Sequence, residues 1–334
     1  MVNPILDMFK GDAFSMTSLT NGINQIPFVP GKAGALGIFR ESGIPTTSVN
    51  VEEQAGSLAL IPRKERGSPA NQNKHGVRTL RTLTVPHLPL GDTVLASEIQ
   101  NVRAFGGSQL QGVQEVINQR LAQMRSKHDA TIEYGRIGAI KGVIYDADGS
   151  TVIYDLFTEF GLSQTSVDFV LGTGSTLVKG KCHEVIRAIE DELGMLTYQK
   201  IHCFCGKTWF DKLVQHAEVK AAYDRYQDGS FLRTTQRTGF EFAGITFEEY
   251  RGKVGSVSFI SDSEAFAFPV GVGDLFWTYF APGDSFDAVN TPGLPIYAMQ
   301  KLMDFNKGVE LLTESNPLSL NTRPKTSIKL TTSN

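Results

Sequence analysis

The chain has 334 residues and 32 lysines and arginines against 35 aspartates and glutamates, a formal charge of −3; this excludes a polybasic, histone-like binder, because displacing condensed counterions from nucleic acid needs an excess of cations. At about 100–200 residues per domain the length allows two or three folding units, and 41% hydrophobic content excludes disorder throughout. No run approaches the roughly 20 apolar residues of a membrane span, the start MVNPILDMFKGDAF lacks a signal peptide's basic end and apolar core, and Cys182, Cys203 and Cys205 are too few for a disulfide framework, so the expectation is a soluble protein kept in the cytoplasm.

Residues 1–47 scatter large apolar groups (Phe9, Phe14, Phe28, Val29, Ile38, Phe39) among prolines and glycines. With no sustained period they cannot bury a face alone, so they read as an extended arm lying on something else. Residues 48–60 and 77–85 alternate as strands. The polar run IPRKERGSPANQNKHG between them makes the pair a long hairpin. Across residues 61–90, Arg63, Lys64, Arg66, Lys74, Arg78 and Arg81 face Glu65 alone, a local charge of +5 that leaves −8 for the rest. A basic hairpin on an acidic body is an electrostatic handle for an acidic neighbour or for nucleic acid.

After Gly106–Gly107, Ser108 offers an N-cap, and Leu110, Val113, Ile117, Leu121 and Met124 recur at steps of three and four. This predicts a helix over about 109–140, with Gln, Asn, Arg, Ser and Lys on the opposite face. VIYDADGSTVIY follows as a hairpin turning at Gly149. Residues 181–194 read as an amphipathic helix, IHCFCG as a buried strand, TWFDKLVQHAEVKAAYDRY as another helix, and 240–250, 254–260 and 265–270 as strands. Alternating strands and helices over 180–300 indicate an α/β or α+β unit, and the chain's end returns to strand-like alternation.

No catalytic signature stands out. LGTGSTLVKGK at 171–181 departs from the phosphate-cradling GxxxxGK[ST] pattern, because Cys182 follows Lys181 where a hydroxyl is needed. In a strand, Cys203 and Cys205 share one face while His202 points to the other, which opposes convergence on a metal. No catalytic residue, metal or cofactor is expected.

The succession of arm, basic hairpin, long helix running into a hairpin, and mixed α/β region resembles the Hong Kong ninety-seven-type fold of tailed-phage capsid subunits. The lambda-type major capsid proteins, the capsid protein E family, are the closer match. The stretches that carry it are RESGIPTTSVNVEEQAGSLALIP, RGSPANQNKHGVRTLRTLTVPHLP, KGVIYDADGSTVIYDLFTEFG, CGKTWFDKLVQHAEVKAAY, PVGVGDLFWTYFAPGDSFDAVNTPGLPIYA and GVELLTESNPLSLNTRP, in family order. The resemblance implies an α+β chain with an N-terminal arm (1–47), an extended β-hairpin loop (48–92), a peripheral domain with its spine helix (93–165), an α/β axial domain (166–304) and C-terminal strands returning towards the peripheral domain (305–334). It implies a major capsid protein that self-assembles into the icosahedral head shell around double-stranded DNA. The alternative is an encapsulin-like nanocompartment shell. Implied partners are further copies in hexamers and pentamers, a portal, a scaffold or protease, a decoration protein, and packaged DNA held without sequence-specific contact; no membrane is involved. Arg63, Lys64, Arg66, Lys74, Arg78 and Arg81 are the expected inter-subunit loop contacts. The expected location is the virion, with assembly in the host cytoplasm.

Overall fold

Val113–Lys141 form one continuous 29-residue helix, about 43 Å long at ~1.5 Å per residue, in a computed structural model that describes residues 15–26, 31–54, 78–100, 112–224 and 239–333. The helix starts at Val113 and not near 109. Gly112 is extended (φ −77°, ψ 145°) and holds the N-cap position, a role glycine fills well; Ser108 lies outside the described residues. Val116, Ile117, Leu121, Met124, Ile132, Ile137 and Ile140 are buried along it. Gly138 serves packing: a Cβ there would sit 3.1 Å from the Ile144 Cα. The helix stops at Gly142, whose left-handed φ of 81° turns the chain straight into the hairpin of Val143–Tyr145 and Val152–Asp155. Gly149 supplies that hairpin's positive φ, as its position in the sequence predicts.

Six strands form the largest sheet, in the order Ser166–Asp168, Ile328–Thr331, Ala265–Val270, Lys200–Cys205, Ile245–Glu249 and Phe240–Phe242. Its centre is buried on both faces, which is why Ile201 to Cys205 and Ala265 to Val270 read as continuous apolar runs. One face sets Ile201, Cys203, Cys205, Ile245 and Phe247 against the helices Val178–Leu193 and Lys207–Gln215. The other sets Phe204, Phe266 and Phe268 against Ile137 and Ile140 at the end of the long helix. The single helix expected after Thr208 is two, Lys207–Gln215 and Ala217–Asp224, separated at His216 with extended backbone (φ −61°, ψ 136°). Residues 254–260 yield only the two-residue strands Lys253–Val254 and Val257–Ser258.

A three-stranded sheet of Tyr297–Leu302, Gly308–Ser315 and Leu88–Leu95 packs Val94, Val309, Leu311 and Ala298 on the first half of the long helix. The segment expected to be an extended arm contributes regular structure to this core. Ser15 caps the helix Met16–Gln25, which buries Leu19 and Ile23. A short turn Lys32–Ala35 follows. Phe39–Gly43 then joins Phe276–Phe280 in parallel, and Phe276–Phe280 pairs with Pro317–Asn321. Ser48–Gln54 and Arg78–Thr84 pair antiparallel from Ser48 opposite Thr84 to Gln54 opposite Arg78, and the tip between them lies outside the described residues. The chain's end divides: Gly308–Ser315 and Pro317–Asn321 lie in the two three-stranded sheets, while Ile328–Thr331 enters the six-stranded sheet.

Candidate assembly surfaces

The arm lies along one charged edge of the long helix, while Asn118, Gln119, Gln123, Ser126 and Lys127 stay exposed. Arg125, Asp129, Glu133 and Arg136 follow one another at helical steps of four, four and three and so form one stripe, with His128 beside it, and all five are buried. The Arg125 guanidinium meets Asp129 through Nε at 2.9 and 3.1 Å and donates through Nη1 to the Ile23 carbonyl at 2.9 Å, closing the end of the arm helix. Glu133 accepts from the backbone N–H of Ala33 at 2.7 Å and of Gly34 at 3.0 Å, while the Tyr250 hydroxyl donates to the same carboxylate at 3.1 Å. A Cβ at Gly31 would lie 2.2 Å from the Glu133 side chain, so glycine permits this approach. Arg136 donates to Glu41 at 2.5 Å and to the Thr278 hydroxyl at 3.3 Å, under the Phe39 ring. Three charged side chains thus tie Ile23, Ala33, Gly34 and Glu41 of the arm to the helix. Lys32 adds a fourth tie, to the six-stranded sheet, through Glu248 at 2.6 Å and the Glu249 carbonyl at 2.7 Å.

Burial sets the charge states along this seam. Burial, with Arg125 alongside, lowers His128 to about 4, so it is neutral at physiological pH and shares a hydrogen bond with Thr313 Oγ1 at 2.9 Å. Burial raises Asp129 despite the Arg125 guanidinium. Burial and the Glu133 carboxylate both raise Tyr250, which keeps it a phenol donor. At Glu248 burial pushes upward, yet hydrogen bonds from His202 and Lys32 outweigh it and the carboxyl is lowered.

The hairpin is rooted by Val49, Leu83 and Val85, which pack with Ile144, Leu156, Phe160, Leu318 and Leu320. Arg81, at that root, donates to the Phe160 carbonyl at 3.2 Å and lies over the Phe160 ring, so its guanidinium is engaged within its own subunit. Arg78 belongs to the paired strand; Arg63, Lys64, Arg66 and Lys74 lie outside the described residues. Beside the root opens a hollow of about 650 Å³ lined in part by Pro45, Val85, His87 and Phe286.

The residues weighed for chemistry are dispersed. Cys203 and Cys205 share one strand face with Sγ atoms 3.6 Å apart, and burial pushes the Cys182 thiol up to about 12, which suppresses the reactive thiolate. His202 points to the opposite face and pairs with Glu248 at 3.1 Å. His216 meets the Thr173 carbonyl at 3.2 Å and accepts from the Glu218 N–H, pinning loop 171–177. Among the described residues no group of three or more His, Cys, Asp or Glu side chains is arranged to hold a metal ion, and no helix is long and apolar enough to cross a membrane.

The fold is that of tailed-phage capsid subunits. The capsid structure of Cyanophage P-SCSP1u superposes with a TM-score of 0.53 at 12% identity, over 89% of this chain and 87% of that one. The capsid of Ralstonia phage GP4 gives 0.53 at 8% identity, over 89% and 88%. Sequence narrows the class further. The family described as Phage major capsid protein E matches residues 15–332. The major capsid protein of Pseudomonas phage KPP10 is 31% identical over 95% of this chain and 96% of its own length, and that of Salmonella phage Felix O1 is 25% identical over 93% and 94%. The chain belongs to the phage major capsid protein E family. Its curated relatives are phage capsid proteins, so the nanocompartment alternative is not favoured.

Proposed function

We propose that this chain builds the icosahedral head shell of a tailed phage or prophage around double-stranded DNA, as a structural subunit and not an enzyme. The observation that carries this reading is the match to phage major capsid proteins over nearly the whole chain. On it, residues 1–47 form the arm, 48–92 the extended loop, 93–165 the peripheral domain, 166–304 the axial domain and 305–334 the returning C-terminal strands. Arg63, Lys64, Arg66, Lys74 and Arg78 meet the acidic surface of a neighbouring copy, while Arg81 secures the loop's root. Support comes from the charge division of +5 across residues 61–90 against −8 elsewhere: complementary charges speed encounter and set register, and salt screens them. Assembly takes place in the host cytoplasm with a portal, a scaffold or protease and a decoration protein, and DNA is packaged without sequence-specific contact.

Reversing Arg63, Lys64 and Arg66 to Glu tests the loop assignment. The expected product has the wild-type circular dichroism spectrum and no longer forms shells at moderate salt. Shells in normal yield would refute it.

A further inference from the structure

Two oddities on one sheet point at each other. The first is the turn between Tyr297–Leu302 and Gly308–Ser315, closed by the Met303 N–H donating to the Gly308 carbonyl at 3.0 Å. Its central residues, Phe305 and Asn306, both have left-handed backbone, φ 60° and 54°. Asparagine tolerates that region, but a bulky aromatic is a true outlier there. Phe305 is also 89% exposed. A lone exposed apolar side chain is ordinary, whereas one that is held out by a strained backbone costs stability twice within its own subunit. Strain of this kind persists where function requires it.

The second oddity is Gly91, in the middle of the strand Leu88–Leu95. It has no left-handed φ, and a Cβ there would find its nearest neighbour at 3.9 Å, so nothing among the described residues of the subunit demands glycine. A glycine inside a strand marks a place where another group approaches closely. Gly91 sits in register with Leu312 and, through it, with Met299. These form the floor of an outward hollow of about 690 Å³, whose next row is Thr93, Glu310 and Lys301.

We propose that Phe305 of one subunit seats in the Gly91–Leu312–Met299 hollow of a second copy of this chain. The charges agree: Asp304 and Lys307 flank the knob, and Lys301 and Glu310 flank the hole. The two features cannot meet within one subunit, because Leu312 lies four residues along the strand that begins at the turn, about 14 Å from it at ~3.4 Å per residue. An aromatic anchor in a pocket rimmed by charge is the arrangement that concentrates binding energy at interfaces. The inference rests on the shell-forming reading.

The test is disulfide trapping in shells of the Asn306→Cys/Thr93→Cys double variant, which keeps the Phe305 ring and sets one thiol beside the knob and the other beside the hollow. The native cysteines are buried, so mild oxidation should give a ladder of covalent multimers at least tenfold stronger than either single variant gives. Shells without a ladder overturn the contact; a wild-type chain that builds no shells overturns the reading beneath it. Two further variants decide the matter if the double variant fails to assemble. Phe305→Gly relieves the turn and should raise the melting temperature of the subunit by about 2 °C while lowering shell yield at least tenfold. Gly91→Tyr should leave circular dichroism unchanged and lower shell yield as much. Normal yields from these two would overturn the proposal.

Discussion

Replacing Glu133 by Gln tests how the arm is held. The carboxylate accepts from the Ala33 and Gly34 amides and from the Tyr250 hydroxyl, in a site where Glu133 is 3% exposed. Hydrogen bonds to a charged group contribute about 1.5–3 kcal/mol each. A glutamine whose oxygen stays with the Ala33 amide and the Tyr250 hydroxyl turns its NH2 toward the Gly34 amide, so one bond is lost outright and the other two become neutral. The net loss is about 2–3 kcal/mol, which corresponds to about 30- to 140-fold in an opening equilibrium. The loss should be local, because Lys32–Ala35 is a short surface turn while the long helix keeps its apolar core. Native-state hydrogen exchange reads it directly: the Ala33 and Gly34 amides should exchange faster by that factor, with residues 116–140 unchanged. Unchanged exchange at Ala33 and Gly34 would refute the role given to this carboxylate.

His128 gives the fold an acid sensitivity. Its folded value of about 4 lies below the reference 6.5, so the unfolded chain binds the proton more tightly; the contribution is complete above pH 6.5 and is lost as pH falls through 4, amounting to about 2 kcal/mol between pH 7.5 and 5. Asp129, raised in the fold, acts in the opposite sense at lower pH, so the measurement is the stability difference between wild type and His128→Gln, which should shrink over this window; a constant difference would contradict it. Ile137→Ala, at a fully buried position facing Phe204 and Phe276, should cost about 2–5 kcal/mol in denaturant unfolding, and a loss under 1 kcal/mol would disprove the packing. Ala122→Pro, inside the long helix, should cost about 3 kcal/mol or more and abolish soluble expression, while Gln114→Pro in its first turn should be well tolerated. Equal expression of the two would misplace the helix start.

Elements with a long period were legible in the sequence. The long helix announced itself through Val113, Ile117, Leu121 and Met124, and the hairpin after it through Gly149; alternation alone placed Cys203 and Cys205 on one face, where their sulfurs indeed meet. The arm helix Met16–Gln25 was not legible, because only Leu19, Thr20 and Ile23 are buried in it and Asn21, Gly22 and Asn24 interrupt the stripe. The seam on the long helix was hidden for a different reason. The sequence reading set Gln, Asn, Arg, Ser and Lys opposite the apolar stripe and did not single out Arg125, Asp129, Glu133 and Arg136, because the partners that bury Arg125 and Glu133 include backbone groups of Ile23, Ala33 and Gly34, 99 to 102 positions away. A backbone amide leaves no signature in side-chain composition. The one available signal was the regularity of the ionisable stripe itself, which a merely wetted face has no need to keep.

The measurement closest to the central claim is electron microscopy of the overexpressed chain. Closed icosahedral shells with this subunit at pentamer and hexamer positions, the arm lying on the long helix and the basic hairpin across a neighbour, are the predicted result. A monodisperse monomer or small open oligomer under every assembly condition would contradict the account.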